Sequence, residues 1–177
     1  MKTFSKQLVF AGLLLFTFSF IVNAQLTKTN NKGCPGVNGL KAAEISDLLE
    51  AQNKARAEHK LTALTWDCKL ADFAQEWAGR GVFEHRTDSE FGENMFVSAA
   101  TDTAATAAIQ RWMLEKPFWN NKTGTCQTGK TCTHFTQIVW KTTARVGCGI
   151  NRNAMGKWKL LLVCNYNPEG NLPGPAF

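Results

Sequence analysis

Six cysteines, Cys34, Cys68, Cys126, Cys132, Cys148 and Cys164, all lie downstream of an N-terminal stretch that reads as an export signal. Lys2 and Lys6 precede an apolar run from Leu8 to Val22, and Val22, Asn23 and Ala24 supply the small-residue ending of a cleavage site. The run is about 15 residues, short of the ~20 that a membrane span needs, so a cleaved signal over residues 1–24 is favoured over a transmembrane anchor. Export places the cysteines in an oxidising compartment, where an even count reads as a disulfide framework. Their spacing alone leaves the pairing open. Zinc ligation by the cysteines is disfavoured, because no C-x-x-C pair is repeated.

Cleavage after Ala24 leaves 153 of the 177 residues, enough to bury roughly 68 to 70% of the unfolded surface around one core. One domain is expected, with no transmembrane segment in the mature chain. Losing Lys2 and Lys6 lowers the formal charge from +6 to +4, and the remaining basic residues are scattered rather than striped. That argues against a nucleic-acid partner. Asn121, Lys122 and Thr123 form a glycosylation sequon, as expected of a surface loop in an exported protein.

Residues 25–41 are polar, rich in Asn and Gly and broken by Pro35, and read as an irregular arm tied down by Cys34. Ile45, Leu48, Leu49 and Ala55 then fall at helical spacing. Glu58 and Lys60 around His59 suggest that this helix ends in solvent. Leu70, Phe73, Ala74, Trp77 and Ala78 mark a second helix, closed near Gly79 and Gly81. A third is predicted from an Asp102 cap through "TAATAAIQRWMLEK" to Pro117, which cannot continue it. Three strands follow in "HFTQIVWK", "RVGCGIN" and "KWKLLLVCNY", the last two joined by a hairpin loop in "NRNAMGK". Helices first and strands last define an α+β class with helices covering an antiparallel sheet. The closing "NPEGNLPGPAF" reads as a Pro/Gly-rich tail.

Four side chains stand out as chemistry. His134 opens the first predicted strand, His85 precedes "FGENMF", Glu93 sits between Gly92 and Asn94 in an apparent tight turn, and Glu115 follows Trp112 by three positions. Each has an ordinary structural reading on its own. Together, two imidazoles and two carboxylates suit a divalent cation such as zinc, or exchange of protons. Their separations do not form a metal motif.

The segments "THFTQIVWKTTARVGCGI" and "LLLVCNYNPEGN" resemble the two signature blocks of the CAP superfamily, which includes sperm-coating and ancylostoma-secreted proteins, plant pathogenesis-related proteins of group 1 and insect venom allergens. "HRTDSEFGENMF", "LTWDCKLADFAQEWA" and "RWMLEK" resemble its other blocks in the same order, so the match spans roughly residues 34 to 171. The early "CPGVNGL" arm looks most like the nematode secreted branch. The resemblance implies a three-layer α-β-α sandwich with a central antiparallel sheet, a CAP domain over residues 42–171 and a tail over residues 172–177. It implies a cleft lined by His85, Glu93, Glu115 and His134, with a divalent cation (Zn or Mg) held at His85 and His134. It also implies disulfides Cys126–Cys132 and Cys148–Cys164, leaving Cys34 with Cys68 by elimination.

Two departures qualify the resemblance. The first helix of the family carries a His-Asn pair where this chain has Gln52 and Asn53. The aromatic loop of sterol-binding members is replaced by "PFWNNKTGTCQTGKTC", which keeps Phe118 and Trp119 as contacts. The function implied is a secreted, extracellular, non-enzymatic binding module for a sterol or other lipid, a divalent metal, or a host or other extracellular protein, in defence, venom or host interaction. The alternative is a metal-dependent hydrolase with Glu93 or Glu115 as base. No G-x-S-x-G motif supports it. N-terminal sequencing of secreted protein should begin at Gln25; recovery of an intact Leu8 to Val22 run would rule out cleavage.

Overall fold

The computed structural model describes Cys34, residues 38–154 and residues 156–177, so the export signal and most of the expected arm lie outside the described residues. In chain order the elements are α1 (Ala42–Glu58), β1 (Thr65–Trp66), α2 (Cys68–Gly79), β2 (Gly92–Ser98), α3 (Ala107–Met113), a 3-10 turn (Lys116–Phe118), β3 (Trp119–Asn120), β4 (Thr125–Cys126), α4 (Thr133–Ile138), β5 (Arg145–Asn151) and β6 (Leu160–Asn167). The main sheet runs β1-β5-β6-β2. The strands β5 and β6 pair antiparallel, as expected; β2, in a segment not read as a strand, joins β6 antiparallel, and the two-residue β1 adds a parallel edge beside β5, making the sheet mixed. The hairpin β3–β4 stands apart. Among the described residues no helix is long and apolar enough to cross a membrane.

The α-β-α sandwich follows from β6 being buried on both faces. Leu160, Leu162, Cys164 and Tyr166 pack with α1, α3 and α4, while Leu161 and Val163 pack with α2. A strand covered on both sides reads as a continuous apolar run rather than an alternation. On the α2 side, Ala71, Ala74 and Ala78 bring the helix close enough that a Cβ on Gly147 would stand 2.2 Å from the Ala71 nitrogen, and one on Gly149 2.4 Å from the Gln75 nitrogen. Phe73 and Trp77, expected inward with that stripe, are only partly buried. Disulfides join Cys34 to Cys68, Cys126 to Cys132 and Cys148 to Cys164, the last bridging directly paired residues of β5 and β6.

Three local expectations are corrected. The predicted third helix does not start at Asp102: Arg152 Nη1 donates to the carbonyls of Thr101 (2.7 Å) and Thr103 (3.1 Å), the second of which would accept from Ala107 in a helix begun there. It starts at Ala107 and ends at Met113, leaving Glu115 in the i→i−3 turns that follow. "HFTQIVWK" is not a strand: Thr133–Ile138 form α4, whose first-turn amides of His134 and Phe135 donate to the Glu115 carboxylate at 3.0 and 3.1 Å. Glu93 lies within β2, opposite Asn165, and not in a tight turn.

The α1 end is not solvated as its charged neighbours suggest. His59 stacks on Phe177 at 3.9 Å and meets Phe135 edge-on at 5.9 Å, with a buried Nε2 that lacks a hydrogen-bond partner among the described residues. Residues 172–177, read from sequence as a tail, have no regular secondary structure, yet Ala176 is fully buried.

Burial lowers the His59 pKa, and Lys116 lowers it further, while Glu58 acts in the opposite sense. The unfolded chain therefore binds this proton more readily, so stability is complete above about pH 6.5 and is lost as pH falls through the folded value. His85 acts with the opposite sign over the same range, because Glu93 raises its pKa. A variant comparison isolates His59: between about pH 7.5 and pH 5.5, His59→Phe should lose less melting temperature than the wild type. Parallel declines in the two proteins would deny His59 this control.

Candidate functional site

His85 lies on the segment between α2 and β2, and stacked side chains support that segment. Arg86 covers Phe73 at 3.9 Å and Trp77 at 5.2 Å, Arg80 covers Trp77 at 4.4 Å, and Trp77 Nε1 donates to the Glu84 carbonyl at 2.7 Å. The partly buried Phe73 and Trp77 thus form a shelf under the loop. Arg86 also pairs with Glu76 and Asp88 at 3.2 and 3.3 Å. On this support His85 Nδ1 sits 2.7 Å from Glu93 Oε1, and the Arg86 backbone N–H donates to the same oxygen at 3.2 Å. The hydrogen bond to Glu93 holds the His85 pKa above its ordinary value, although burial opposes it. Glu93 is 7% exposed and His85 64%. The carboxylate is therefore a fixed base for an outward-facing ring.

The second pair is built on α4. His134 Nδ1 lies 2.6 Å from Glu115 Oε1, while Glu115 Oε2 accepts the two α4 amides. The Trp112 ring lies parallel to His134 at 5.9 Å, and its Nε1 donates to the Met95 carbonyl at 3.2 Å. Asn94 Nδ2 donates to the His134 carbonyl at 3.0 Å and to Tyr166 Oη at 3.4 Å, and Tyr166 Oη donates to Gln52 Oε1 at 2.8 Å. Consecutive β2 residues, Glu93 and Asn94, thus serve the two histidines.

Among the described residues no three His, Cys, Asp or Glu side chains converge as a metal cage. The four residues form two histidine–carboxylate pairs joined through β2. An ionised carboxylate only accepts, so each neutral imidazole donates from Nδ1 and keeps its lone pair on Nε2. That is the orientation a carboxylate imposes on a metal-ligating histidine. Glu93 Oε2 is buried and lacks a hydrogen-bond partner among the described residues, a lone pair suited to a cation.

Other predicted positions lie elsewhere. Gln52 is fully buried and accepts from Tyr166, while Asn53 grips the Leu64 backbone through Nδ2 at 3.0 Å and Oδ1 at 2.7 Å. Both are structural here. Trp119, Trp140, the Cys126–Cys132 disulfide and residues 171–174 line a separate groove of about 480 Å³. Lys130 Nζ covers the Phe118 ring at 4.9 Å. Asn121 occupies the β3–β4 turn and bonds Ala176 and Phe177. Sequence reasoning missed Asn94, Trp112 and Arg86 as supports of the histidines. Asn94 stood inside the noted "GEN" triplet; Arg86 had no local signal.

The fold is shared with known structures. The chain superposes on "NaASP2 with Zn2+" with a TM-score of 0.66 at 27% identity, covering 81% of this chain and 88% of that one. It superposes on venom allergen-like protein 4 of Schistosoma mansoni with a TM-score of 0.65 at 25% identity, covering 78% and 95%. Residues 49–166 match the Cysteine-rich secretory protein family, CAP, and the chain belongs to it. Among its relatives, pathogenesis-related leaf protein 6 of Solanum lycopersicum is 34% identical over 161 residues, 90% of this chain and 96% of that protein. A PR-1 type pathogenesis-related protein of Sambucus nigra is 35% identical over 132 residues, 72% and 78%.

Glu115 both orients His134 and caps α4, so Glu115→Ala should lower unfolding free energy by about 2 to 3 kcal/mol, because two backbone amides lose a charged acceptor. Urea denaturation measures this. A loss under about 0.5 kcal/mol, the range of a neutral surface change, would refute the capping role.

Proposed function

We propose that the protein is a secreted, non-enzymatic binding module whose His85 and His134 hold a divalent cation, with Glu93 and Glu115 as orienting carboxylates. The carrying observation is that each Nδ1 is already engaged by a carboxylate, 2.7 Å away in one pair and 2.6 Å in the other, leaving Nε2 as the ligating atom. Zinc accepts neutral imidazole and carboxylate ligands and fits this donor set. A bound cation supplies a fixed positive charge to which an anionic group of a ligand or partner protein attaches. Three disulfides support folding in an oxidising compartment, hence secretion. The names of the pathogenesis-related and venom allergen-like relatives favour a role in defence or host interaction.

The hydrolase alternative needs a carboxylate free to take a proton from water. Glu115 instead accepts two backbone amides as well as its histidine, and Glu93 accepts a backbone amide as well as its own. Glu115 is occupied in holding structure, and the Glu93 oxygen that lacks a partner among the described residues, Oε2, is buried away from water. A lipid reading rests on a different observation, the groove between Trp119, Trp140 and residues 171–174, where a flat apolar molecule meets two indole rings.

Titration calorimetry with zinc tests the cation. Wild-type protein and Glu50→Gln, a change on the exposed face of α1, should bind alike. His85→Ala and His134→Ala should each lose at least about tenfold in affinity, and the double variant should lose binding. Unchanged affinity in the double variant would remove the cation. Esterase or peptidase turnover that disappears with the histidines would instead establish the hydrolase. Equal binding of a fluorescent sterol by wild type and Trp119→Ala would dismiss the lipid groove.

A further inference from the structure

Asn121 heads the triplet Asn121, Lys122, Thr123, which as sequence is an N-glycosylation acceptor. In the fold both ends of its amide are engaged. Oδ1 accepts from Trp119 Nε1 at 3.1 Å and from the backbone N–H groups of Ala176 at 2.9 Å and Phe177 at 3.2 Å. Nδ2, the atom that would carry a sugar, donates to the Phe177 carbonyl oxygen. Asn121 thus pairs with the extended backbone of residues 176–177 much as a neighbouring strand would.

The segment it holds is packed from several directions. Ala176 is fully buried, and its carbonyl accepts the Lys141 N–H at 2.7 Å. The Phe177 ring stacks on His59 at 3.9 Å and lies edge-on to Phe135 at 6.3 Å. At the other end of the turn, a Cβ on Gly124 would stand 2.8 Å from the carbonyl carbon and oxygen of Gly174. The contact between hairpin and strap leaves no space for a methyl group there. A glycan on Nδ2 would replace one of its two hydrogens and would have to fit where Nδ2 now meets the Phe177 carbonyl. Residues 171–174 then continue as one wall of the groove that Trp119 and the Cys126–Cys132 disulfide close on the other side.

We propose that Asn121 is the anchor of the 174–177 strap and not a glycan acceptor: the docked strap and a sugar at Nδ2 exclude one another, and the strap holds the site. The sequon is the by-product of a hairpin turn that needs a primary amide at this position. A primary amide sets its acceptor oxygen and its donor nitrogen on separate atoms, which lets it meet the N–H groups and the carbonyl of the strap side by side.

The test separates the sequon from the amide. The full chain is secreted from insect cells, and intact mass is measured before and after peptide-N-glycosidase treatment. Thr101→Asn, which creates the sequon Asn-Asp-Thr on an exposed turn, controls for a host able to glycosylate this protein. Wild-type protein should carry no sugar at Asn121. Thr123→Ala, which destroys the sequon and keeps the amide, should match the wild type in melting temperature and in hydrogen-exchange protection of Ala176 and Phe177. Asn121→Ala should lose that protection and melt roughly 4 to 8 °C lower. Asn121→Asp, which keeps the acceptor oxygen and loses the donor, should fall between them and serves if the alanine variant does not fold. A glycan on wild-type Asn121 would overturn the proposal, as would wild-type protection of Ala176 and Phe177 in the alanine and aspartate variants.

Discussion

The guanidinium of Arg56 is fully buried, and four backbone carbonyls close around it. Nε donates to Thr62 at 2.8 Å, Nη1 to Ile138 at 2.8 Å and Trp140 at 2.9 Å, and Nη2 to Thr143 at 2.9 Å. Burial pushes its pKa down to about 10, so it remains charged at neutral pH. Burying a cation costs several kcal/mol, and hydrogen bonds to a charged group return about 1.5 to 3 each. The balance leaves modest stability and strong geometric specificity. One of the four carbonyls belongs to the last residue of α4 and two more follow that helix, so the residue fixes where α4 ends relative to α1. His134 lies on α4, and its position depends on this arrangement.

A second spine is β2. Glu93 reaches His85, Asn94 reaches the His134 carbonyl, and Met95 accepts from the Trp112 ring that stacks on His134. Three consecutive residues thereby set two histidines that stand 49 positions apart in the chain. Alternation along the strand would send neighbours to opposite faces. Here the loop before β2 brings His85 back towards Glu93, while Asn94 faces the α1, α3 and α4 side through Tyr166. Supports of this kind matter because a ligating histidine is only as well placed as the group that holds its other nitrogen.

A carboxylate and an amide act alike here, as fasteners between distant segments. Glu115 fastens the turn after α3 to the start of α4, and Asn121 fastens the β3–β4 hairpin to residues 176–177. Each is a single polar side chain satisfying two backbone N–H groups that would otherwise be partly buried and unpaired. Such groups cost about 1 to 3 kcal/mol when left without a partner, which explains why irregular segments here are tied down rather than left to solvent.

The sequence alone determined α1 and α2 and the β5–β6 hairpin, and it singled out the four residues of the candidate site. Periodicity along α1, the small residues of α2 and the apolar run of β6 are local properties that survive without neighbours. The blocks around "GEN" and "HFTQ" carried the histidines and glutamates by resemblance. Tertiary structure decided the rest. Asp102 is a good cap by composition, but Arg152 holds the Thr103 carbonyl that its helix would have used. "HFTQIVWK" has strand-like residues, yet a carboxylate 19 positions earlier supplied the cap that makes it α4. His59 looked solvated until the strap covered it, and Asn121 looked free until Ala176 and Phe177 occupied its amide. In each case the deciding hydrogen bond or contact joins residues far apart in sequence, and a hydrogen bond between distant residues leaves no periodicity to read.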